Sequence, residues 1–183
     1  MNERDTENTI DAVRRRLASG DIGHVVVATT SGATAVRFAE ALNGIAVDLV
    51  CVTHHVGFRE GDAFELVPEH AQALADAGAR LVTASHALSG VGRSISKGFG
   101  GATPVEIIAH TLRLFGQGTK VCVECAVMAA DAGAIPTDRD ALCVGGTGRG
   151  ADTAIVLRPA HASRFFETRI REILCMPEAN KVS

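Results

Sequence analysis

The stretch His24-Val-Val-Val-Ala-Thr-Thr-Ser-Gly-Ala-Thr-Ala-Val-Arg-Phe-Ala39 leaves this chain few folds to choose from. Val25 to Ala28 is an apolar run of the length of a buried parallel strand. Ala35, Phe38, Ala39 and Leu42 then recur at i, i+3, i+4 and i+7, the spacing of a helix with one apolar face. A strand feeding a helix through a short turn is the unit of an α/β sheet. The turn, Thr29, Thr30, Ser31, Gly32, Ala33 and Thr34, is rich in donors. The first N–H groups of a helix have no intrahelical partner, and the positive end of its dipole lies there. Gly32 permits close backbone approach, and four hydroxyls can donate to the same oxygens. A cap alone needs one hydroxyl, so the turn reads as a phosphate site.

The rest of the chain repeats this alternation. Residues 5 to 19 read as a helix with Ile10, Val13 and Leu17 on one face and Gly20 as its stop. After the first strand and helix, Ile45 to Val52 is a second strand, buried on both faces apart from Asp48. Pro68 opens a third helix that ends at Gly78, and Arg80 to Ala84 is a third strand. Thr103-Pro104-Val-Glu106 is a helix start, with Val105, Ile108, Leu112 and Phe115 expected inward. A further helix covers 120 to 132, with Val121, Cys125, Met128 and Ala132 inward and Glu124 and Asp131 on a solvated stripe. Strands follow at Ala141 to Gly145 and Thr153 to Leu157, whereas Phe165 to Leu174 reads equally as helix or edge strand.

Three loops carry chemistry. Thr53 to Asp62 leaves the end of strand two and holds His54, His55 and Phe58, with Glu60 and Asp62 nearby. Neighbouring residues in extended chain point opposite ways, so the two histidines are not expected to share a metal. Ligand contact or acid–base work by one of them is the sharper reading, and packing of one beside solvation of the other is the plainer one. Ser85 to Ala102 holds five glycines together with Arg93 and Lys97, and reads either as a loop that closes over a phosphorylated ligand or as a mobile surface loop. The third loop is Gly146, Thr147, Gly148, Arg149 and Gly150, followed by Asp152 and Thr153.

The connection from strand four to strand five is too short for a parallel crossover, so strand five runs antiparallel beside strand four. The expected architecture is a single domain over 1–183, three layers α/β/α around a mixed sheet of about five strands in the order 3-2-1-4-5. The switch between strands one and four then brings the 29–34 and 146–152 turns to one crevice, where α/β proteins bind ligands.

Composition excludes other classes. Hydrophobic residues make up 46% and charged residues 21% of the 183, the balance of a folded globular chain. Net charge is -3 without a basic block, which argues against a nucleic-acid partner. No apolar run approaches the ~18 residues of a membrane span, and Met1 to Ile10 does not resemble a signal peptide, so a cytoplasmic protein is expected. The five cysteines are scattered, and Cys122 and Cys125 fall in an apolar helical run, so they read as core thiols rather than a zinc or redox pair.

Thr-Thr-Ser-Gly-Ala-Thr-Ala after a Val-rich strand resembles the phosphate turn of the pyruvate kinase C-terminal domain, a regulatory domain with a mixed five-stranded sheet that binds a sugar bisphosphate in some enzymes. Thr53-His54 through Gly57-Phe58, Ser94 to Pro104, Lys120 to Gly133 and Gly145 to Leu157 are similar to the stand-alone pyruvate kinase C-terminal-domain-like proteins of archaea and bacteria. The resemblance covers most of residues 20 to 177 and implies the fold. It implies no metal site and no kinase activity, since the catalytic barrel is not matched, and it associates the group with flavin mononucleotide (FMN). Three readings follow: a binding or regulatory protein for a phosphorylated small molecule such as FMN, an enzyme using His54, His55 or Glu124 on a phosphorylated metabolite, or an interaction subunit. His54, Phe58, Arg93 and Lys97 are the expected secondary ligand contacts. Oligomeric state stays open, a homo-oligomer included.

Overall fold

A computed structural model describes residues 3–177; the ends of the expected 1–183 domain lie outside the described residues. The elements are α1 (Glu3–Leu17), β1 (His24–Ala28), α2 (Ala33–Ala41), β2 (Asp48–Thr53), α3 (Pro68–Asp76), β3 (Arg80–Thr83), α4 (Gly90–Phe99), α5 (Pro104–Arg113), α6 (Gln117–Asp131), β4 (Ala141–Gly145), β5 (Thr153–Arg158) and β6 (Arg169–Cys175). The sheet has the order β3-β2-β1-β4-β5-β6. Strands β1 to β4 are parallel, and β5 runs antiparallel between β4 and β6. The expected order is therefore present with one strand more. The undecided tail is a 3-10 turn as far as Glu167 and then that sixth strand, pinned to α1 by the Arg16 guanidinium, whose Nε and Nη2 donate to Glu172 at 2.9–3.1 Å.

Alternation along the strands builds two cores. Val25 and Val27 point with Cys51, Leu142, Val144 and Val156 toward Val13, Phe38 and Leu74 of α1, α2 and α3. Val26, Val50, Val52, Cys143, Ile155 and Leu157 point the other way, against Cys122, Val123, Ala126 and Ala129 of α6. The strands are buried on both sides, as their unbroken apolar runs require. Asp48, the exception in its run, starts β2 at the sheet's far end, where its exposed carboxylate is 3.5 Å from His24 Nε2.

Three helices, α4, α5 and α6, depart from the expected pattern. The glycine-rich 85–102 segment contains α4, a helix with no buried residue. Its glycines lower helix propensity without forbidding a helix, and α5 packs beside it. Helix α5 buries only Ala109 fully; Val105, Ile108 and Leu112 are half-buried and Phe115 is exposed, because α5 packs on α6 rather than on the sheet. Helix α6 is covered from Cys122 to Ala130, while Ala132 just beyond it is exposed.

Cys122 and Cys125 are core thiols, and Cys122 Sγ donates to the Cys143 carbonyl at 3.3 Å. Burial pushes the Cys51 and Cys125 thiols up to about 12, and pushes Cys122 and Cys143 upward too. A thiol reagent at pH 8 should therefore label at most one thiol per native chain, the half-buried Cys175, and all five after unfolding. Two or more fast-reacting thiols in the native protein would contradict this packing.

Candidate functional site

The chain ends of β1, β2 and β4 open into a cleft of about 640 Å³, roofed by the β3–α4 loop and walled by one face of α6. Thr29, Thr30, Ser31, Ala33 and Thr34 line it from the first turn, and Gly146, Gly148, Arg149 and Gly150 from the second. The two turns meet across the β1–β4 pair, as the strand order requires.

The first turn is held by its own hydroxyls. Gly32 N–H donates to Thr29 Oγ1 at 3.1 Å, and Ala33 N–H faces Ser31 Oγ at 3.5 Å. The Ser31 carbonyl, which would otherwise accept from Ala35, takes Val67 N–H at 3.1 Å and the His70 ring at 2.8 Å. The N–H groups of Thr34 and Ala35 consequently find no acceptor among the described residues. They form the donor-rich helix start that binds anions.

Gly32 does not face the cleft. Its φ is +95°, and a β-carbon there would lie 2.5 Å from His70 Cβ and 2.9 Å from Leu66 Cδ1. The glycine serves the left-handed turn and the close approach of α3.

Three residues of the second turn are also structural. Asp152 is buried and accepts from Thr147 N–H at 3.2 Å and from the Thr153 hydroxyl at 2.6 Å. Helix α1 adds Thr6, which accepts from Ala151 N–H at 3.0 Å. Thr147, Asp152 and Thr153 thus close the loop from behind, and none of them lines the cleft.

Around the rim, His54, Phe58 and Arg93 line the cleft as expected, whereas His55 and Lys97 line a smaller adjoining hollow. Glu65 accepts from His54 Nδ1 at 2.7 Å, and its other oxygen is ion-paired with Arg59 Nε at 2.9 Å. Phe58 packs tilted against both histidines, with ring centroids 4.0 Å from His54 and 4.8 Å from His86, and the two imidazoles meet edge to face at 5.1 Å. Burial drives the His86 pKa down to about 4, with the charges of His54, Lys120 and His55 pushing the same way and Glu124 opposing. Its imidazole is neutral at physiological pH.

Glu124 is the largest departure from the sequence reading. It is 4% exposed and sits on the cleft side of α6. One oxygen accepts the Leu88 N–H at 2.8 Å, and the other is paired with Lys120, itself 5% exposed. Asp131, its expected companion on a solvated stripe, is exposed at the end of the helix. His86, Arg113, Gln117 and Lys120 are cleft residues that the sequence did not single out. For Lys120 a signal existed: a lone charge one turn before Glu124, at the edge of an apolar run.

The electrostatics follow from the lining. Arg59, Arg93, Arg113, Lys120 and Arg149 face Glu65 and Glu124, five cations against two carboxylates, in a chain whose net charge is -3. Both carboxylates are already engaged. Arg93 and Arg149 have no carboxylate partner among the described residues, and Arg113 Nε donates only to Gln117 at 2.6 Å. Low-dielectric walls around such an excess favour a bound anion.

Residues 7–157 match the model of the family described as pyruvate kinase, alpha/beta domain. The match takes in both turns, α6 and all strands but β6.

Proposed function

We propose that this chain, which belongs to the pyruvate kinase alpha/beta domain family, binds a phosphorylated small molecule between its 29–34 and 146–150 turns. The observation that carries the reading is the surplus of arginine in the cleft beside two unpartnered helix N–H groups. Phosphate suits both, because it is doubly charged near neutrality and accepts several hydrogen bonds at once.

FMN is the first ligand to test. The cleft volume, about 640 Å³, lies within the range of small-molecule sites. Its single phosphate suits the donor-rich turn, and the Phe58 and His86 rings, tilted 49° to each other, offer aromatic surface at the rim. A bound flavin supplies hydride or one-electron chemistry; the chain's own part is to hold the phosphate and orient the ring.

The test is a thermal-shift series with FMN and riboflavin. At a hundred times its dissociation constant a ligand stabilises the native state by ~2.7 kcal/mol. FMN should give such a shift and riboflavin much less. Ser31→Ala should weaken FMN binding roughly ten- to a hundredfold, as expected for a lost hydrogen bond to a charged oxygen, ~1.5–3 kcal/mol. Equal shifts with both compounds would end the phosphate assignment.

The Glu65–His54 contact supports a second reading, an enzyme acting on the phosphorylated compound. A carboxylate fixing one ring nitrogen is the arrangement that orients a histidine as acid or base. Turnover with a pH profile that disappears in His54→Gln would favour it.

A further inference from the structure

The phosphate reading leaves Lys120 and Glu124 unexplained, although both line the cleft. They lie one turn apart on α6 and are about as buried as the apolar residues around them. Burying an ion pair costs several kcal/mol per ion, and apolar residues in its place are often no less stable, so stability is a weak reason for it. Buried charge at the wall of a cleft points to a ligand instead.

The donor count says which ligand group. An ammonium has three donors, and among the described residues Lys120 gives one to Glu124 and finds no second acceptor. Two donors of a buried charge are thus left for whatever enters the cleft. Glu124 cannot move aside to change this, because the Leu88 N–H fixes its other oxygen at 2.8 Å. Its negative charge also sets the sign. A second phosphate or carboxylate at Lys120 would meet the Glu124 carboxylate within one helical turn, whereas a neutral oxygen would not. The unpaired arginines, by contrast, have no carboxylate beside them and suit the anionic end.

We infer that Lys120, held by Glu124, is a second subsite that takes a neutral carbonyl or hydroxyl oxygen of the ligand, at the end away from its phosphate. This rests on the phosphate reading above. It narrows the ligand class to phosphorylated compounds with an oxygen acceptor at the other end. A flavin ring carbonyl and a sugar hydroxyl both qualify; a bisphosphate does not.

Pyridoxal 5′-phosphate is the probe, because it carries a phosphate and an aldehyde oxygen on one small ring. At Lys120 the free-amine fraction would attack the aldehyde carbon with loss of water, and borohydride would then add hydride to the C=N bond, leaving a stable secondary amine after protonation. The chain has three lysines, at 97, 120 and 181, so peptide mapping is unambiguous. The expected result is modification of Lys120, slowed at least tenfold by excess inorganic phosphate and at least tenfold slower with pyridoxal. Glu124→Gln should speed it severalfold by releasing the amine from its counter-charge.

Modification of Lys97 or Lys181 alone, still suppressed by phosphate, would overturn the Lys120 subsite and leave the phosphate site standing. Lys120 modified at the same rate with or without phosphate would keep the subsite reachable but sink the phosphate reading. No modification at any lysine would overturn the subsite.

Discussion

Replacing Glu124 by alanine should destabilise the protein by about 3–5 kcal/mol, the cost of leaving one member of a buried ion pair without its partner. Two groups are stranded at once: the Lys120 ammonium, 5% exposed, and the Leu88 N–H, whose acceptor is Glu124 Oε1. For a domain of this size, roughly 2–4 °C of melting temperature accompanies each kcal/mol, so a drop of roughly 6–20 °C is expected in a thermal scan. Glu124→Gln should lose less, because the amide oxygen can still accept from Leu88. The double variant Lys120→Met, Glu124→Leu should recover the part of the loss due to the ammonium, since no charge remains to be desolvated, while the Leu88 N–H still lacks its acceptor. A Glu124→Ala variant within 1 kcal/mol of the parent would show that the pair is hydrated, and the subsite drawn from its burial would fall with it.

The burial of Glu124, unlike its candidacy as an acid–base group, left no mark in the sequence. The strand order was legible because it rests on local facts: four apolar runs, helical spacing between them, and a connection from Gly145 to Thr153 too short to cross over. The convergence of two turns follows from that order alone. Burial of one turn of a helix does not. Glu124 and Asp131 sit seven residues apart and share a helical face, yet the β3–α4 loop buries the first, whereas the second stays exposed where His161 and the Ala162 N–H reach it. What covers a helix is decided by residues 35 to 40 positions away in sequence, and periodicity carries no trace of them.

The glycines show the same limit from the other side. Gly32, a place of close backbone approach by its sequence, has His70 and Leu66 pressed against it, which no local pattern displays. Composition drew the 85–102 segment as a loop, and tertiary contact with α5 made ten of its residues a helix. The sixth strand was ambiguous for a different reason. Edge strand β6 is half-exposed and pairs with β5 through two register shifts, which blurs the period-two pattern that marks a strand.

The glycine with the largest expected effect is Gly118, near the start of α6. A β-carbon there would lie 2.0 Å from Thr153 Oγ1, 2.5 Å from Thr153 Cβ and 2.7 Å from Asp152 Oδ1. Gly145 mirrors it from β4, where a β-carbon would lie 2.6 Å from the Gly118 carbonyl. Helix and sheet meet here backbone to backbone. Alanine is the better helix former by ~1 kcal/mol, so propensity alone would make Gly118→Ala stabilising. The clash opposes it with ~1–3 kcal/mol or more of overpacking, and neither neighbour can give way easily. Thr153 is buried in β5, and its hydroxyl donates to Asp152, which in turn accepts from Thr147 N–H. Overpacking should win, and denaturant unfolding should show a net loss. Gly98→Ala in α4 is the control: φ is not positive, nothing lies within 4 Å, and a gain of ~0.5–1 kcal/mol is expected. Because the displaced atoms are those that close the 146–152 loop, Gly118→Ala should also weaken binding of a phosphorylated ligand, whereas Gly98→Ala should not. A Gly118→Ala variant as stable as the parent would mean that α6 does not rest on β5 at this point, and the cleft wall would have to be redrawn.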